Sequence, residues 1–401
     1  MKKFRLPYGV TEYLPDDAYA KEALEAKLSS LYFMSGFSRV MTGALEYYDL
    51  YDGVVSERAL NRMFKLSDSD GSLLVLRPDT TMQISRMAAT KLDASVHKLY
   101  YIENSYEFLS ESGTASARAR EFAQIGAEIL GESGVAGDTE LILLAIESLL
   151  AAGLNDFLID IGHIGYFHGL IADANLGKNA AQATAILRES VNKKDIVSMA
   201  KELAALKIAP KKAEVFLQLC DFYGGAEILE KAKKITANTT SLAAISQLES
   251  IFTAIKEAGY EKYITLDLGL LKGGYYSGLV IRGLATDCGA SILDGGRYDN
   301  LSAAFGKKTE AVGFSIGTKR LLDALEQRAK KKPLPPCTVA YINLDGFSQT
   351  EFKHIKSLQK KGLRTIKLFL PNKKALQQYC KDHNIKKAII FSQVNIEELT
   401  I

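Results

Sequence analysis

The sequence has 401 residues, of which 47% are hydrophobic and 24% are charged. These proportions are typical of folded globular protein, and they exclude wholesale disorder, a collagen-like repeat and a continuous coiled coil. The 50 lysines and arginines nearly balance the 47 aspartates and glutamates, so the net charge of +3 carries no general signature of nucleic-acid binding.

Targeting signals and metal-binding motifs are not evident in the sequence. The two lysines near the start are not followed by the apolar segment of a secretory signal, and no long uncharged apolar run predicts a membrane span. The four cysteines lack CxxC spacing, and the five histidines form no HExxH motif. We therefore expect a cytoplasmic protein with no membrane span, no metal site and no cofactor.

The N-terminal part of the chain contains both helical and strand patterns. Apolar residues at spacings of three and four predict a helix over residues 16–36, because this spacing places them on one helix face. Aromatic and β-branched residues predict strands over 37–51 and 73–79. A second helix is predicted over 80–92.

The middle of the chain changes from strands to helices. Strands are predicted over 98–108 and 120–131, joined by a polar loop of small residues. A buried helix over 139–152 and a strand over 156–165 follow. Residues 168–260 are rich in Ala, Lys, Leu and Glu with helical spacing, so we interpret them as an inserted helical subdomain.

Strand character returns before a short C-terminal domain. The predicted elements are strands over 263–271, 275–285 and 289–296, and a helix near 317–330. Residues 330–336 form a charged, proline-bearing linker, and 337–401 alternate as βαβαβ, which is typical of a small parallel sheet. The fold class is therefore α+β: a domain over 1–329, with an antiparallel sheet flanked by helices, and a small α/β domain.

One face of the strand over 120–131 could form a binding site. Alternation places Gln124, Gly126 and Glu128 on the same face, with apolar residues on the other. A glycine between an amide and a carboxylate lets a small ligand approach the backbone. A solvated strand face is the alternative interpretation.

Two further motifs contain polar residues beside turns. In LRPDTT (76–81), Asp79 could receive a ligand ammonium group with Thr81 beside it, or Asp79 or Thr80 could simply cap the helix. In GGYYSG (273–278), strand alternation predicts that Tyr275 and Tyr276 point to opposite faces, so that at most one of them faces a pocket.

These motifs together resemble the class II aminoacyl-tRNA synthetases over about residues 4–325. The segments that resemble motifs 1, 2 and 3 of that class are GFSRVMTGALEYYD, YYIENSYEF with REFAQIGAE, and AVGFSIGTKRLLDAL. LRPDTT, QIGAE, YYSG and GGRYDNL resemble the histidyl-tRNA synthetase version of the fold. The resemblance implies an antiparallel sheet flanked by helices and a pocket for histidine.

The sequence departs from the synthetases where ATP and tRNA would bind. The motif 2 arginine that grips the ATP α-phosphate is replaced by Glu107, and a catalytic arginine is replaced by Lys272. A carboxylate close to a phosphate is repulsive by about 1 kcal/mol in water and by more in a low-dielectric site. Arg320 ends the motif 3 match, whereas Gly43 replaces the motif 1 proline. The C-terminal domain is also short for an anticodon-binding domain.

This combination resembles the synthetase-like regulatory subunits of ATP phosphoribosyltransferase. That resemblance implies a subunit without catalytic activity, which assembles with a short-form catalytic subunit and mediates feedback by histidine on the first step of histidine biosynthesis. It also implies a homodimeric core within a hetero-oligomer, and makes tRNA an unexpected partner. The implied histidine-binding residues are Asp79, Thr81, Gln124, Glu128, Tyr275 and Tyr276; the degenerate ATP-site positions are Glu107, Lys272 and Arg320.

Two alternatives remain open on the sequence. An active histidyl-tRNA synthetase would need another cation for the α-phosphate, and Arg118 or Arg120 lies in the right stretch. The other alternative is a synthetase paralogue that modifies a protein, or one that binds tRNA through residues 330–332 and the lysines of 353–387, although those residues are also typical of a solvated surface.

Overall fold

A computed structural model describes the chain except for short gaps. The described residues are 4–108, 119–176, 180–272, 274–286, 288–346 and 348–401. The chain divides into two compact units, Met1–Lys332 and Pro333–Ile401. In the described part of the chain, every helix is too short or too polar to cross a bilayer.

The first unit is built around a large, mostly antiparallel sheet. Its strands are β1 (Ser38–Arg39), β2 (Leu45–Tyr47), β3 (Lys65–Ser67), β4 (Leu73–Leu76), β5 (His97–Tyr106), β6 (Glu121–Leu130), β7 (Phe157–His163), β8 (Tyr223–Gly224), β9 (Ile264–Asp267), β10 (Leu279–Ala285), β11 (Leu293–Arg297) and β12 (Ala311–Gly317). Nine of them form one sheet in the order β1-β5-β6-β12-β11-β10-β7-β9-β8, and β2-β4-β3 form a separate sheet. The α+β class predicted from the sequence is confirmed.

Helices cover one face of the large sheet and make up most of the chain between β7 and β9. The helices of this unit are α1 (Pro15–Met34), α2 (Glu57–Leu60), α3 (Thr81–Thr90), α4 (Val135–Ala152), α5 (Ile164–Ala174), α6 (Ala180–Asn192), α7 (Ile196–Ala205), α8 (Pro210–Gln218), α9 (Glu227–Ile235), α10 (Thr239–Glu257) and α11 (Thr318–Gln327). The predicted apolar positions Leu24 and Leu28 of α1 are buried against the sheet.

The two faces of β6 have different roles, as the alternation of its residues predicts. Ile125, Ala127 and Ile129 are buried in the main core together with residues of α1 and α4. The opposite face carries Gln124 and Glu128. The core on one side fixes the register of the strand, and the polar side chains are therefore held on the other side.

Several predicted elements differ from the structure. The strand predicted over 37–51 is two short strands, β1 and β2, which belong to different sheets, followed by a turn of 3₁₀ helix over Tyr48–Leu50. The chain changes sheets beside Gly43, whose carbonyl accepts a hydrogen bond from Gln83. Strand β12 was not predicted, because Gly313 and Gly317 lower the strand propensity of its sequence.

The second unit is a small sheet with two helices. Its elements are β13 (Val339–Asn343), α12 (Gln349–Lys360), β14 (Thr365–Lys367), α13 (Lys373–Asp382), β15 (Lys387–Phe391) and β16 (Ile396–Thr400). The strand order is β14-β13-β15-β16, with parallel pairing among the first three strands. The predicted βαβαβ order is confirmed, and β16 adds an antiparallel edge that was not predicted.

Candidate functional site

The face of the large sheet that carries Gln124 and Glu128 forms a cavity of about 190 Å³. A cavity of about 150 Å³ can hold a benzene molecule, so this one has room for a single small molecule. Its lining residues are Asp79, Thr81, Tyr101, Gln124, Glu128, Tyr275, Tyr276, Asp294, Gly295, Tyr298, Gly313, Phe314 and Ser315. The six residues that the resemblance assigns to a histidine pocket therefore lie together.

Two glycines let bulky side chains lie flat on the sheet. Gly126 is paired with Tyr101 across β5 and β6, and a Cβ atom on Gly126 would lie 2.3 Å from Tyr101 Cζ. Gly313 is paired with Glu128 across β6 and β12, and its Cβ would lie 1.4 Å from Glu128 Oε2. Real side chains do not approach so closely, so both positions require glycine for the cavity to have this shape.

Glu128 is a deeply buried carboxyl group of the cavity. It is 1% exposed. Tyr298 donates a hydrogen bond of 2.6 Å to Oε2, and Thr81 Oγ1 donates one of 3.3 Å to Oε1. Burial raises the pKa of Glu128 to about 8, although both hydrogen bonds favour the charged form. The interpretation of this face as solvated is therefore wrong.

Asp79 caps helix α3 and also lines the cavity, so the two interpretations of the LRPDTT motif do not exclude each other. Asp79 Oδ1 accepts a hydrogen bond of 3.1 Å from the backbone N–H of Met82, in the first turn of α3. The same side chain lines the cavity. Removal from water raises the pKa of Asp79, while the backbone donors of Thr81 and Met82 lower it. The cavity thus contains two carboxyl groups that gain from a cationic ligand.

Both tyrosines of the GGYYSG motif line the cavity, so the prediction that at most one of them does is wrong. Strand β10 begins only at Leu279, and strand alternation does not apply to residues that precede it. The rings of Tyr275 and Tyr276 are 5.1 Å apart, and the Tyr275 ring meets Tyr298 edge-on at 5.9 Å. Together they form an aromatic wall with hydroxyl groups.

Gln124 is fixed by its neighbours on both sides. Ser105 Oγ donates a hydrogen bond of 2.7 Å to its Oε1, and its Nε2 donates one of 3.2 Å to Ser315 Oγ. These bonds hold the amide group of Gln124 in place at the edge of the cavity.

Other cavity residues were missed by the sequence analysis. Tyr101, Asp294, Tyr298, Phe314 and Ser315 line the cavity but were not selected as candidates. The signal that could have identified Tyr101 and Tyr298 is the glycine-rich strand pattern of QIGAE and DGGRYDN, because a glycine in a strand interior often marks a bulky neighbour.

Each of the three positions that the resemblance assigns to a degenerate ATP site has a partner within the protein. Glu107 forms an ion pair of 2.7 Å with Arg62, and Lys272 forms one with Asp294. Arg320 donates a hydrogen bond of 2.8 Å to the carbonyl of Ser291. Burial raises the pKa of Glu107 and lowers that of Lys272, and the charged partners act in the opposite direction in both cases.

Arg120 does not supply an obvious replacement for the missing phosphate-binding arginine. Its guanidinium group packs against two aromatic rings, 4.6 Å from the centroid of Phe64 and 4.9 Å from that of Phe108. Such stacking is favourable for arginine and holds the group beside the strand. Arg118, the other candidate, lies outside the described residues. Within the described ranges, no group of His, Cys, Asp or Glu side chains is arranged to hold a metal ion.

The pKa of Glu128 predicts how stability depends on pH without ligand. The unfolded carboxyl group ionises near pH 4.5, whereas the folded one keeps its proton up to about pH 8. The unfolded state binds fewer protons between these values, so this group lowers stability as the pH rises through the window. We expect the melting temperature of Glu128→Gln minus that of the wild type to increase from pH 5 to pH 8, because glutamine does not titrate.

The corresponding difference in the free energy of unfolding increases by an amount on the order of a few kcal/mol, since each pKa unit corresponds to about 1.4 kcal/mol. Calorimetric unfolding at a series of pH values measures it, and the pH-independent effects of the substitution cancel in the comparison. A difference that stays constant from pH 5 to pH 8 would contradict a raised pKa at Glu128.

The sequence of the chain matches a known protein family over most of its length. The family model described as histidyl-tRNA synthetase matches residues 9–321. Among curated relatives, the ATP phosphoribosyltransferase regulatory subunit of Acetivibrio thermocellus is 31% identical, over 90% of this chain and 86% of the relative. The protein of the same name from Desulforamulus reducens is 34% identical, over 90% of this chain and 89% of the relative.

Solved structures agree with these sequence matches. A crystal structure from Bacillus halodurans described as an ATP phosphoribosyltransferase regulatory subunit/histidyl-tRNA synthetase has a TM-score of 0.84 and 26% identity, covering 97% of this chain and 98% of that one. The histidyl-tRNA synthetase of Nostoc has a TM-score of 0.79 over 99% of this chain and 97% of that one, and its 21% identity supports the fold alone.

Proposed function

The chain belongs to the family of ATP phosphoribosyltransferase regulatory subunits, which have the histidyl-tRNA synthetase fold, and from this premise we propose that it regulates the first step of histidine biosynthesis. It has no aminoacylation activity of its own and acts in complex with a short-form catalytic subunit. The observation that carries the proposal is a small-molecule pocket beside Glu107. Glu107 is a carboxylate at the position where a synthetase has the arginine that binds the ATP α-phosphate.

Histidine is the ligand proposed for the pocket. Asp79 receives the α-ammonium group with help from Thr81, and Gln124 lies near the ammonium or the carboxylate. Glu128 and one hydroxyl of the aromatic wall hold the imidazole ring, which offers one donor and one acceptor when neutral. The closeness of these groups around one cavity supports the assignment. An unpaired buried polar group costs about 1–3 kcal/mol, which favours histidine over amino acids without an imidazole.

Regulation requires that histidine binding changes the activity of the partner. The coupling free energy between two such sites is typically about 1–3 kcal/mol, which corresponds to a change in affinity of about 5-fold to 150-fold. A pocket that is separate from the partner's active site makes this effect allosteric. The assembly is expected in the cytoplasm, as a hetero-oligomer with the catalytic subunit.

An active histidyl-tRNA synthetase is the less favoured alternative. The carboxylate of Glu107 stands where a synthetase has a phosphate-binding arginine, and this carboxylate is paired with Arg62. Lys272 stands where a synthetase has a catalytic arginine, and its charge is neutralised by Asp294. The packing of Arg120 against two aromatic rings also argues against its use as a phosphate ligand. For these reasons tRNA is not an expected partner. Histidine-dependent exchange between ATP and pyrophosphate would reveal the alternative activity.

The decisive experiment combines this chain with the short-form catalytic subunit from the same organism. The rate of phosphoribosyl-ATP formation is measured with each subunit alone and with both, in the presence and absence of histidine. Activation that histidine reverses supports the proposal. If the two chains neither associate nor change the rate, the proposal is wrong.

A homodimeric core is proposed from the small sheet of the first unit. Leu45 and Tyr47 lie on one face of β2, and Leu66 of β3 lies on the same face. These side chains are 53%, 56% and 42% exposed. Adjacent exposed apolar side chains on a sheet face are typical of an interaction surface, and a second copy of the chain would cover them.

Substitution on this face is expected to separate the dimer. Tyr47→Glu places a charge in the proposed interface, where it would lose its water without gaining a partner, so we expect the affinity of the dimer to fall by at least about 100-fold. Sedimentation equilibrium measures the change. Phe369→Glu is the matched control, because Phe369 is a 92% exposed aromatic residue of the second unit. A Tyr47→Glu protein that remains dimeric would exclude this face, and a monomeric wild type would exclude the homodimer.

A further inference from the structure

The end of helix α6 touches the segment that leads into the cavity wall. Val191 Cγ1 would lie 3.4 Å from a Cβ atom on Gly269, and Lys194 Nζ lies 3.9 Å from Asp267 Oδ2. These contacts join a helix of the chain between β7 and β9 to the residues that follow β9. One turn of the helical region thus runs along the segment over 267–271.

The most specific contact is made by Asn192, the last residue of α6. Its Nδ2 donates a hydrogen bond of 2.6 Å to the carbonyl of Leu271, and its Oδ1 accepts one of 3.0 Å from the backbone N–H of Leu271. The amide therefore pairs with both backbone groups of one residue, as a neighbouring strand would. The side chain of Leu271 is completely buried, so this residue is held from both sides.

Leu271 is directly followed by residues that shape the cavity. Lys272 pairs with Asp294, a lining residue that also accepts a hydrogen bond of 2.7 Å from Ser291. The aromatic wall begins at Tyr275, three residues after Lys272. Only residues 272–274 separate Leu271 from the wall, so the position of Leu271 limits where the wall can lie.

We propose that Asn192 is a positioning residue for the pocket, and that through Leu271 it couples occupancy of the pocket to the helical region over 164–257. This inference rests on the proposed histidine site. When a ligand contacts Tyr275 and Tyr276, the wall becomes more rigid, and the hydrogen bonds of Asn192 pass this constraint to α6. A change at α6 alters histidine affinity by the same coupling, since linkage between two sites is reciprocal.

The test compares two asparagines of the same helical region. Asn192→Ala removes both bonds to Leu271. Asn238→Ala is the matched control: its Oδ1 caps α10 by accepting bonds of 2.9 and 3.2 Å from the N–H groups of Thr240 and Ser241, and it does not line the cavity. Loss of a cap destabilises a helix to an extent similar to the loss of other hydrogen bonds.

Histidine affinity by calorimetry and backbone hydrogen exchange are both measured for the two variants. We expect Asn192→Ala to bind histidine about fivefold or more weakly, and Asn238→Ala to remain within twofold of the wild type. In the wild type, histidine should slow exchange at residues 186–195 of α6 and the turn after it, and this protection should be lost in Asn192→Ala. Equal affinities in Asn192→Ala and wild type would overturn the inference, as would equal weakening in both variants.

Failure of the proposed histidine site can be told apart from failure of this inference. If the wild type does not bind histidine, the proposed histidine site is wrong. Backbone hydrogen exchange at residues 268–272 without ligand then still tests whether Asn192 holds the aromatic wall in place. Faster exchange there in Asn192→Ala than in Asn238→Ala supports the positioning role, whereas equal exchange overturns it. If Asn192→Ala does not fold, Asn192→Asp removes the donor to Leu271 while keeping the acceptor.

Discussion

Alanine at Glu128 is expected to abolish the response to the histidine concentrations that just inhibit the wild-type complex, while the subunit still assembles with its catalytic partner and still supports phosphoribosyl-ATP formation. Glu128 is 1% exposed, and Tyr298 and Thr81 fix its carboxyl group inside the cavity. Without it, the imidazole N–H has no carboxylate to accept its hydrogen bond in a place that water reaches poorly. The loss of about 1–3 kcal/mol weakens histidine binding roughly 5-fold to 150-fold.

Calorimetric titration of the subunit and histidine inhibition of the assembled complex measure this effect. Glu351→Ala is the matched control, because Glu351 is also a buried glutamate, 3% exposed, with hydrogen bonds to Asn343 and Lys367 in the second unit. We expect it to retain the response. If Glu128→Ala remains fully sensitive, histidine acts at another place, such as the interface between the two kinds of subunit.

Local patterns were sufficient to predict the part of the site that lies on one strand. Gln124 and Glu128 face the cavity because strand side chains alternate, and the apolar residues between them are buried in the core. The same rule failed for Tyr275 and Tyr276, which precede β10 and take their directions from the loop. Thus the alternation of a strand predicts side-chain directions only within the strand, and the sequence does not show where the strand begins or ends.

Contacts between distant segments could not be predicted. The hydroxyl of Tyr298 reaches Glu128 because β12 lies between β6 and β11, an order that depends on how the whole sheet assembles. Similarly, the sequence reveals a glutamate at position 107, but its partner Arg62 lies on a different part of the chain. The charge reversal was therefore predictable, whereas the ion pair that accommodates it was not.

The cavity and the position that the resemblance assigns to the ATP phosphate differ in the charge that they present to a ligand. The cavity keeps two carboxyl groups with raised pKa values, Asp79 and Glu128, which a cationic ligand would stabilise in their charged forms. At the phosphate position, a carboxylate repels an anion, and Arg62 is already paired with it. This distribution of charge supports the proposal that the chain binds an amino acid without activating it by ATP.

Gly313→Ala should impair histidine binding as strongly as the loss of Glu128 itself, although it changes no polar group. The new methyl carbon would lie 1.4 Å from Glu128 Oε2, so the carboxyl group must swing out of its position and lose its bond to Tyr298. Alanine is otherwise well tolerated in a strand, and the effect therefore arises from this overlap alone. Calorimetric titration with histidine, together with a thermal melt, measures the affinity and the stability of the variant.

Gly289→Ala is the matched control for this substitution, because a Cβ atom at Gly289 meets nothing within 4 Å. It should bind histidine as the wild type does and melt at nearly the same temperature. If Gly313→Ala binds histidine normally, the ligand does not need Glu128 in its present position, even if Glu128→Ala is inactive. If instead both Gly313→Ala and Glu128→Ala lose binding while Gly289→Ala keeps it, the requirement is for a carboxyl group held at this point of the cavity, and not merely for its charge.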